Sequence, residues 1–188
     1  MDCYRSGFTL PELLIVLALF AILSLQWIPD LSAATQQNRL YAHALALTQQ
    51  LQLARNSAIQ RNQKVTLCKS SNGTQCTTSS FWEEGWILFE NLDGDGRVDS
   101  GDTLLHYHNP LPEGVTLTGV GNFKNRVTYK PNGDSTSFSR LVLCNHGALE
   151  GSQVIYISST GRIRIATDSD GDNIPEDSNG NNIESCER

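Results

Sequence analysis

Residues 5–25, RSGFTLPELLIVLALFAILSL, pose the question on which the fold turns. The run from Leu13 to Leu25 is uncharged, yet a proline, Pro11, and a carboxylate, Glu12, stand at its entrance. From Phe8 to Ile28 there are 21 residues, which at about 1.5 Å per residue reach roughly 31 Å, close to the hydrocarbon thickness of a bilayer. A secretory signal peptide is the plain reading of a basic residue followed by an apolar run. Three features oppose it. Glu12 lies inside the apolar region, where an unpaired charge is expensive in lipid. No small-x-small cleavage pattern follows Leu25. The helical pattern also continues beyond it.

Past Pro29, the positions Leu40, Ala44, Leu47, Leu51, Ala54 and Ala58 recur at steps of four and three, with glutamines, asparagines and Arg39, Arg55 and Arg61 over much of the rest. The pattern predicts one long helix with an apolar front half, an amphipathic rear half and a kink at Pro29. The rear stripe needs a sheet or another subunit to cover it.

The octet Gly7-Phe8-Thr9-Leu10-Pro11-Glu12-Leu13-Leu14 resembles the processing site of type IV prepilins and type II secretion pseudopilins. The resemblance implies cleavage between Gly7 and Phe8 by a membrane prepilin peptidase and N-methylation of Phe8. It also implies that Glu12, fifth in the processed chain, meets the free amino terminus of a neighbouring subunit in a filament. A buried carboxylate and ammonium offset one another in such a bundle, whereas either alone would not be tolerated. Pro11 costs little in a first helical turn, where its missing N–H would have lacked a partner anyway.

Further along, short strands are expected at 63–69, 85–89, 103–107, 115–120, 126–130, 138–144, 154–158 and 162–167, separated by loops rich in Ser, Thr, Asn and Gly. A helix followed by many short strands argues for α+β, a long N-terminal helix packed on an antiparallel β-sheet head. The stretch SFWEEGWILFENLDGDGRVDSGDTLLHYH, residues 80–108, is similar to the group that joins FimT and FimU minor pilins to the pseudopilin GspH. That resemblance divides the chain into a leader at 1–7, a transmembrane or filament-core helix at 8–28, an amphipathic helix at 29–62, a head at 63–166 and an acidic tail at 167–188. It implies a minor subunit that primes or tips a pilus, with other minor and major pilins or pseudopilins as partners. It further implies a single pass through the bacterial inner membrane, with the head in the periplasm. A pseudopilus of a type II secretion system is the alternative.

The formal net charge of −6 is concentrated in the tail, where seven carboxylates stand against Arg188 alone, so whole-chain charge says little about partners. Of five cysteines, Cys3 falls in the leader that the resemblance implies, and if that leader is removed or cytoplasmic, Cys68, Cys76, Cys144 and Cys186 suit two disulfides in an oxidising compartment. Cys68 and Cys76 enclose a polar loop, which makes a local clip the simplest pairing. Cys144 with Cys186 would then tie the tail to the body. Zinc lacks a C-x-x-C pair or a nearby histidine, and free buried cysteines are the other alternative.

Two aspartate-rich loops invite calcium. In the first, Asp93, Asp95 and Asp99 are suitable oxygen ligands, but counted from Asp93 the glycine comes fourth rather than sixth and Leu104 stands twelfth, so a plain Asp-Gly turn is expected. In the second, Asp168, Asp170 and Asp172 alternate, with Glu176 or Asp177 able to close round, and no cation is interspersed. Mutual repulsion predicts an open, solvated tail unless calcium binds. Calcium is therefore the one cofactor worth testing; otherwise none is expected.

In Gly161-Arg162-Ile163-Arg164-Ile165, strand alternation puts both arginines on one face. They can face water, or capture DNA phosphates with help from Lys124, Arg126 or Lys130. Minor pilins of the FimT kind are similar here, with a Gly-Arg-x-Arg element linked to DNA uptake, although the seven following acids set an opposing field. His43, His106, His108 and His146 form no believable metal set, and neither a nucleophile elbow nor a phosphate loop is present, so no enzymatic activity is expected.

Overall fold

The computed structural model describes residues 7, 9–26, 31–136, 138–177 and 179–186, and falls into two compact units, 1–35 and 36–188. The first holds helix α1 (Leu10–Gln26). Its first intrahelical bond is accepted by the Thr9 carbonyl from Leu13 N–H at 3.1 Å, with Pro11 in the turn where its missing donor costs nothing. Ten apolar side chains from Leu10 to Leu23 are 53–73% exposed, so α1 shows an apolar surface all round. Its 17 residues rise about 26 Å, and no helix among the described residues is long and apolar enough to cross a membrane. The expected span at 8–28 extends over Phe8, Trp27 and Ile28, which lie outside the described residues, as does the kink expected at Pro29.

Helix α2 (Leu31–Arg61) is built from alanine, leucine, glutamine and arginine, which keep most of their rotamer freedom in a helix. It stops at Asn62, which takes a left-handed conformation (φ 52°). The Asn62 N–H bonds to the Ile59 carbonyl and the Gln63 N–H to that of Ala58, closing the end in a Schellman motif. Leu40, Ala44, Leu47, Leu51, Ala54 and Ala58 are all buried, the stripe that the sequence spacing predicts.

Eight strands follow: β1 (Val65–Lys69), β2 (Trp86–Glu90), β3 (Leu104–His108), β4 (Val115–Gly119), β5 (Arg126–Tyr129), β6 (Ser139–Asn145), β7 (Ala148–Ile157) and β8 (Ile163–Ile165). They form two antiparallel four-stranded sheets, ordered β3-β2-β1-β5 and β4-β6-β7-β8. The chain thus leaves the first sheet for β4 and returns for β5.

Both sheets turn one face to the α2 stripe. Val65, Leu67, Leu88, Val127 and Tyr129 of the first and Leu117, Leu141, Leu143, Ile155 and Ile157 of the second share one core with it. Trp82 is inserted beside them, its Nε1–H donating to the carbonyls of Phe123 and Lys124 at 3.2 Å each.

The opposite faces are covered as well. Cys68, Ile87 and Phe89 lie under Cys76 and Val98. Val142, Cys144 and Val154 lie under the tail residues Ile174, Ile183 and Cys186. The tail is therefore a packed segment, which corrects the expectation of an open one. Burial of Ile183, the bond from Ile183 N–H to the Pro175 carbonyl and covalent attachment at Cys186 outweigh repulsion among its carboxylates.

Candidate functional site

Gly7, in the proposed processing site, is exposed, and a Cβ built on it would meet nothing within 4 Å. Open space around it means that packing within the chain supplies no reason for glycine there. Phe8 lies outside the described residues. Glu12 is exposed in the first turn of α1, where the helix dipole favours an anion.

Cys68 and Cys76 are joined with their Cα atoms 5.6 Å apart, and Cys144 and Cys186 with theirs 6.1 Å apart. The first clip closes the loop over the outer face of β1 and β2. The second holds the tail against β6.

Arg162 and Arg164 are both exposed, on the edge strand β8 or immediately before it. Arg164 lies 5.2 Å over the Tyr156 ring on the neighbouring strand. The turn that carries the pair is braced from α2, where Arg55 donates to the Gly133 carbonyl at 2.9 Å and to that of Thr160 at 3.1 Å. Burial pushes the Tyr156 phenol up, while Arg140 pulls it down and Asp177 adds to the rise. The tail's charge is thus felt on this same face; the tail does not fold away from the arginines.

The two acidic loops share one backbone design. In the second, the Asp168 carboxylate accepts the Gly171 and Asn173 amides, Asp170 accepts that of Asp172, and Asp172 that of Ile174. In the first, Asn91 Oδ1 accepts the Gly94 and Gly96 amides, Asp93 that of Asp95, and Asp95 that of Arg97. The first loop therefore reads from Asn91, which puts Gly96 sixth and Asp102 twelfth, the register of a calcium-binding EF-hand loop. Counting from the first aspartate hid this; allowing asparagine at the first position would have revealed it. Both sixth positions are left-handed, Gly96 at φ 80° and Asn173 at φ 65°.

Their charges differ. Lys64 Nζ and the Arg126 guanidinium close over Gly94 and Gly96 of the first loop. In the second, one carboxylate oxygen from each of Asp168, Asp170 and Glu176 lies within 4.8 Å of the other two. Hydrogen bonds from the Ser169 hydroxyl, then its amide, hold Glu176 below the usual carboxylate range. The Asp172 amide pulls Asp170 down, but desolvation and the charges of Asp172 and Glu176 together leave it above that range. Asp172 and Asp177 are engaged elsewhere. Asp172 accepts from Asn182 Nδ2 at 2.5 Å, and Asp177 accepts the Asn179 and Asn181 amides, which lower its pKa.

His106 and His108 make contacts within the head. His108 stacks on Trp86 at 3.9 Å between ring centroids, and its Nδ1 lies 2.6 Å from the Asn109 carbonyl. His106 meets Gln50 of α2, which also accepts from Trp86 Nε1.

The family model "Type II transport protein GspH" matches residues 43–171, from within α2 to the start of the acidic tail. The chain belongs to the GspH family. A second model, the prokaryotic N-terminal methylation motif, matches residues 3–25. No curated protein sequence matches this GspH-family chain at a significant level.

Among solved structures it is similar in fold to the type IV minor pilin FimU of Pseudomonas aeruginosa. In one crystal form the TM-score is 0.57 at 21% identity, with 71% of this chain and 92% of that one covered. In another the TM-score is 0.55 at 21% identity, covering 68% and 93%. The minor pseudopilin EpsH from the type 2 secretion system of Vibrio cholerae aligns at TM-score 0.45 and 14% identity, covering 67% and 94%. This GspH-family chain is a pilin-like subunit with an α+β head and an amino terminus bearing the methylation motif.

Proposed function

We propose that this chain is a minor subunit of a type IV pilus, cleaved after Gly7, methylated on Phe8 and assembled through α1, where it primes or tips the filament. The observation that carries the reading is the apolar surface of α1. Ten large side chains from Leu10 to Leu23 are more than half exposed, and only lipid or sister helices can cover them on all sides. Before assembly the helix rests in the inner membrane, with the head in the periplasm, where both disulfides are stable. Other minor and major pilins then replace lipid around it. The role is association rather than catalysis.

Mass spectrometry of the protein from its own cells tests this. The expected result is a chain beginning at N-methylated Phe8. A chain retaining Met1, or one trimmed well beyond Leu25, would overturn it. A pseudopilin of a type II secretion system shares every one of these features, and neighbouring genes for pilus or for secretion components separate the two.

DNA capture by Arg162 and Arg164 is a second role for the same subunit, favoured by their exposure on an edge strand. With the acidic tail on the same face, binding is expected to be weak and steeply salt-dependent. In a gel-retardation assay of full-length protein, Arg162→Ala/Arg164→Ala should weaken binding about thirtyfold, each of the two lost phosphate contacts being worth on the order of 1 kcal/mol. Equal retardation by both proteins would reject it.

A further inference from the structure

We propose that the loop at residues 168–176 is a calcium site in which Asp168, Asp170 and Glu176 supply carboxylate oxygens to one ion. Converging carboxylates alone would not justify this, since exposed acidic groups gather on many surfaces. The deciding group is Glu176, which is only 6% exposed although it is a carboxylate. Its Oε1 accepts three hydrogen bonds, from Ser169 N at 2.7 Å, Ser169 Oγ at 2.7 Å and Asp170 N at 3.2 Å. Its Oε2 is buried and has no hydrogen-bond partner among the described residues.

A buried, unpartnered carboxylate oxygen is among the costliest groups a fold can contain. Here it belongs to a side chain locked in place by Ser169 and set against two more carboxylates. A cation shared with those two carboxylates is the partner that fits this position.

The chemistry selects the ion. All the donors are carboxylate oxygens, which suit a hard cation. Their spread within 4.8 Å puts all three within about 2.8 Å of a common centre, so a small inward turn of the exposed Asp168 and Asp170 brings them into the calcium–oxygen range. Exposed Asp168 and Asp170 leave the outer side open for water to complete a shell of six to eight. Magnesium demands a tighter octahedron and gives up its water reluctantly. The position also gives the ion a consequence. Glu176 N–H bonds to the Thr167 carbonyl and Gly151 N–H to that of Asn173, so the loop joins the tail to β7. Calcium at this point fixes the tail on the outer face of the second sheet.

This inference is independent of processing and assembly, since the site is complete within one unassembled chain. The test is calorimetry of calcium chloride into full-length, EDTA-stripped protein in detergent micelles, with magnesium chloride as a comparison and thermal melts alongside. Glu176→Gln and Asp170→Asn should each lose one calcium equivalent or bind it at least tenfold more weakly. Calcium should raise the melting temperature of the natural protein and not of either variant. Asp95→Asn, in the other acidic loop, should keep the tail equivalent. If Glu176→Gln fails to fold, Asp170→Asn decides, because its side chain is exposed and its replacement isosteric. Absence of calcium heat in the natural protein, calcium binding unchanged in Asp170→Asn, or tighter binding of magnesium than of calcium would each overturn the proposal.

Discussion

Replacing Glu12 by leucine is expected to reduce incorporation of the subunit into filaments about a hundredfold, while the amount of processed protein in the membrane stays unchanged. The physical reason lies in the partner rather than in the side chain. Glu12 stands in the first turn of an apolar helix, and in the filament we propose it would offset the ammonium of a neighbouring processed chain. Leucine at that position is more comfortable in lipid, so membrane retention does not fall. It does leave the neighbour's ammonium unpaired in a poorly solvated bundle. Removing one member of a buried pair costs about 3–5 kcal/mol, and a hundredfold effect needs only about 2.8 of that. Glu12→Gln should fall between, since it keeps a hydrogen-bond acceptor without the charge. Immunodetection of the subunit in sheared filaments against the membrane fraction measures the ratio. Equal incorporation of Glu12→Leu would remove the role assigned to this carboxylate.

Loss of the Cys144–Cys186 bond should be the most damaging covalent change to the head. Its 42-residue separation gives a chain-entropy contribution of about 4 kcal/mol, whereas the 8-residue Cys68–Cys76 clip gives about 2.5 kcal/mol. More than loop closure is at stake. The tail covers Val142, Cys144 and Val154 on the outer face of the second sheet, and Ile183 is buried in that cover. A released tail exposes this surface, so Cys144→Ser/Cys186→Ser should both melt earlier and aggregate more readily than Cys68→Ser/Cys76→Ser. Urea unfolding of the two double variants, purified without reductant, compares them directly. A larger loss from the shorter clip would show that packing under the Cys68–Cys76 loop outweighs loop length.

The arginine pair shows what a local pattern can and cannot settle. Strand alternation places Ile163 and Ile165 against the core and Arg164 on the opposite face, and β8 has that arrangement. What lies beside Arg164 is Tyr156 of the next strand, itself packed with the tail residues Ile174 and Ile183, and neither neighbour is fixed by the spacing of the motif. The acidic loops teach the complementary lesson. The second loop reads as a ligand set of five carboxylates, but only three converge, because Asn182 and the amides of Asn179 and Asn181 take up the other two. The first loop was legible in composition and misread in register, since its leading residue is an asparagine buried through β-sheet contacts. Asn91 donates to Thr66 on β1 and its N–H bonds to the Lys64 carbonyl, pairings that no local count could foresee.

Short-range physics fixed a good deal of this protein in advance. The period of apolar residues determined the α2 stripe from Leu40 to Ala58, and the alternation of β-branched and aromatic residues located seven strands to within two residues at each end but only the last four residues of β7, because helix and strand periodicity are properties of neighbouring positions. The octet at Gly7 to Leu14 likewise carries its signal in contiguous residues. Only the tertiary structure decided that the strands divide into two sheets, that each sheet buries its second face beneath a disulfide-tied loop, and that Glu176 is enclosed with one oxygen unsatisfied. Those outcomes depend on which distant segments share a surface, and apolar burial, being non-directional, leaves that choice to the packing of the whole head.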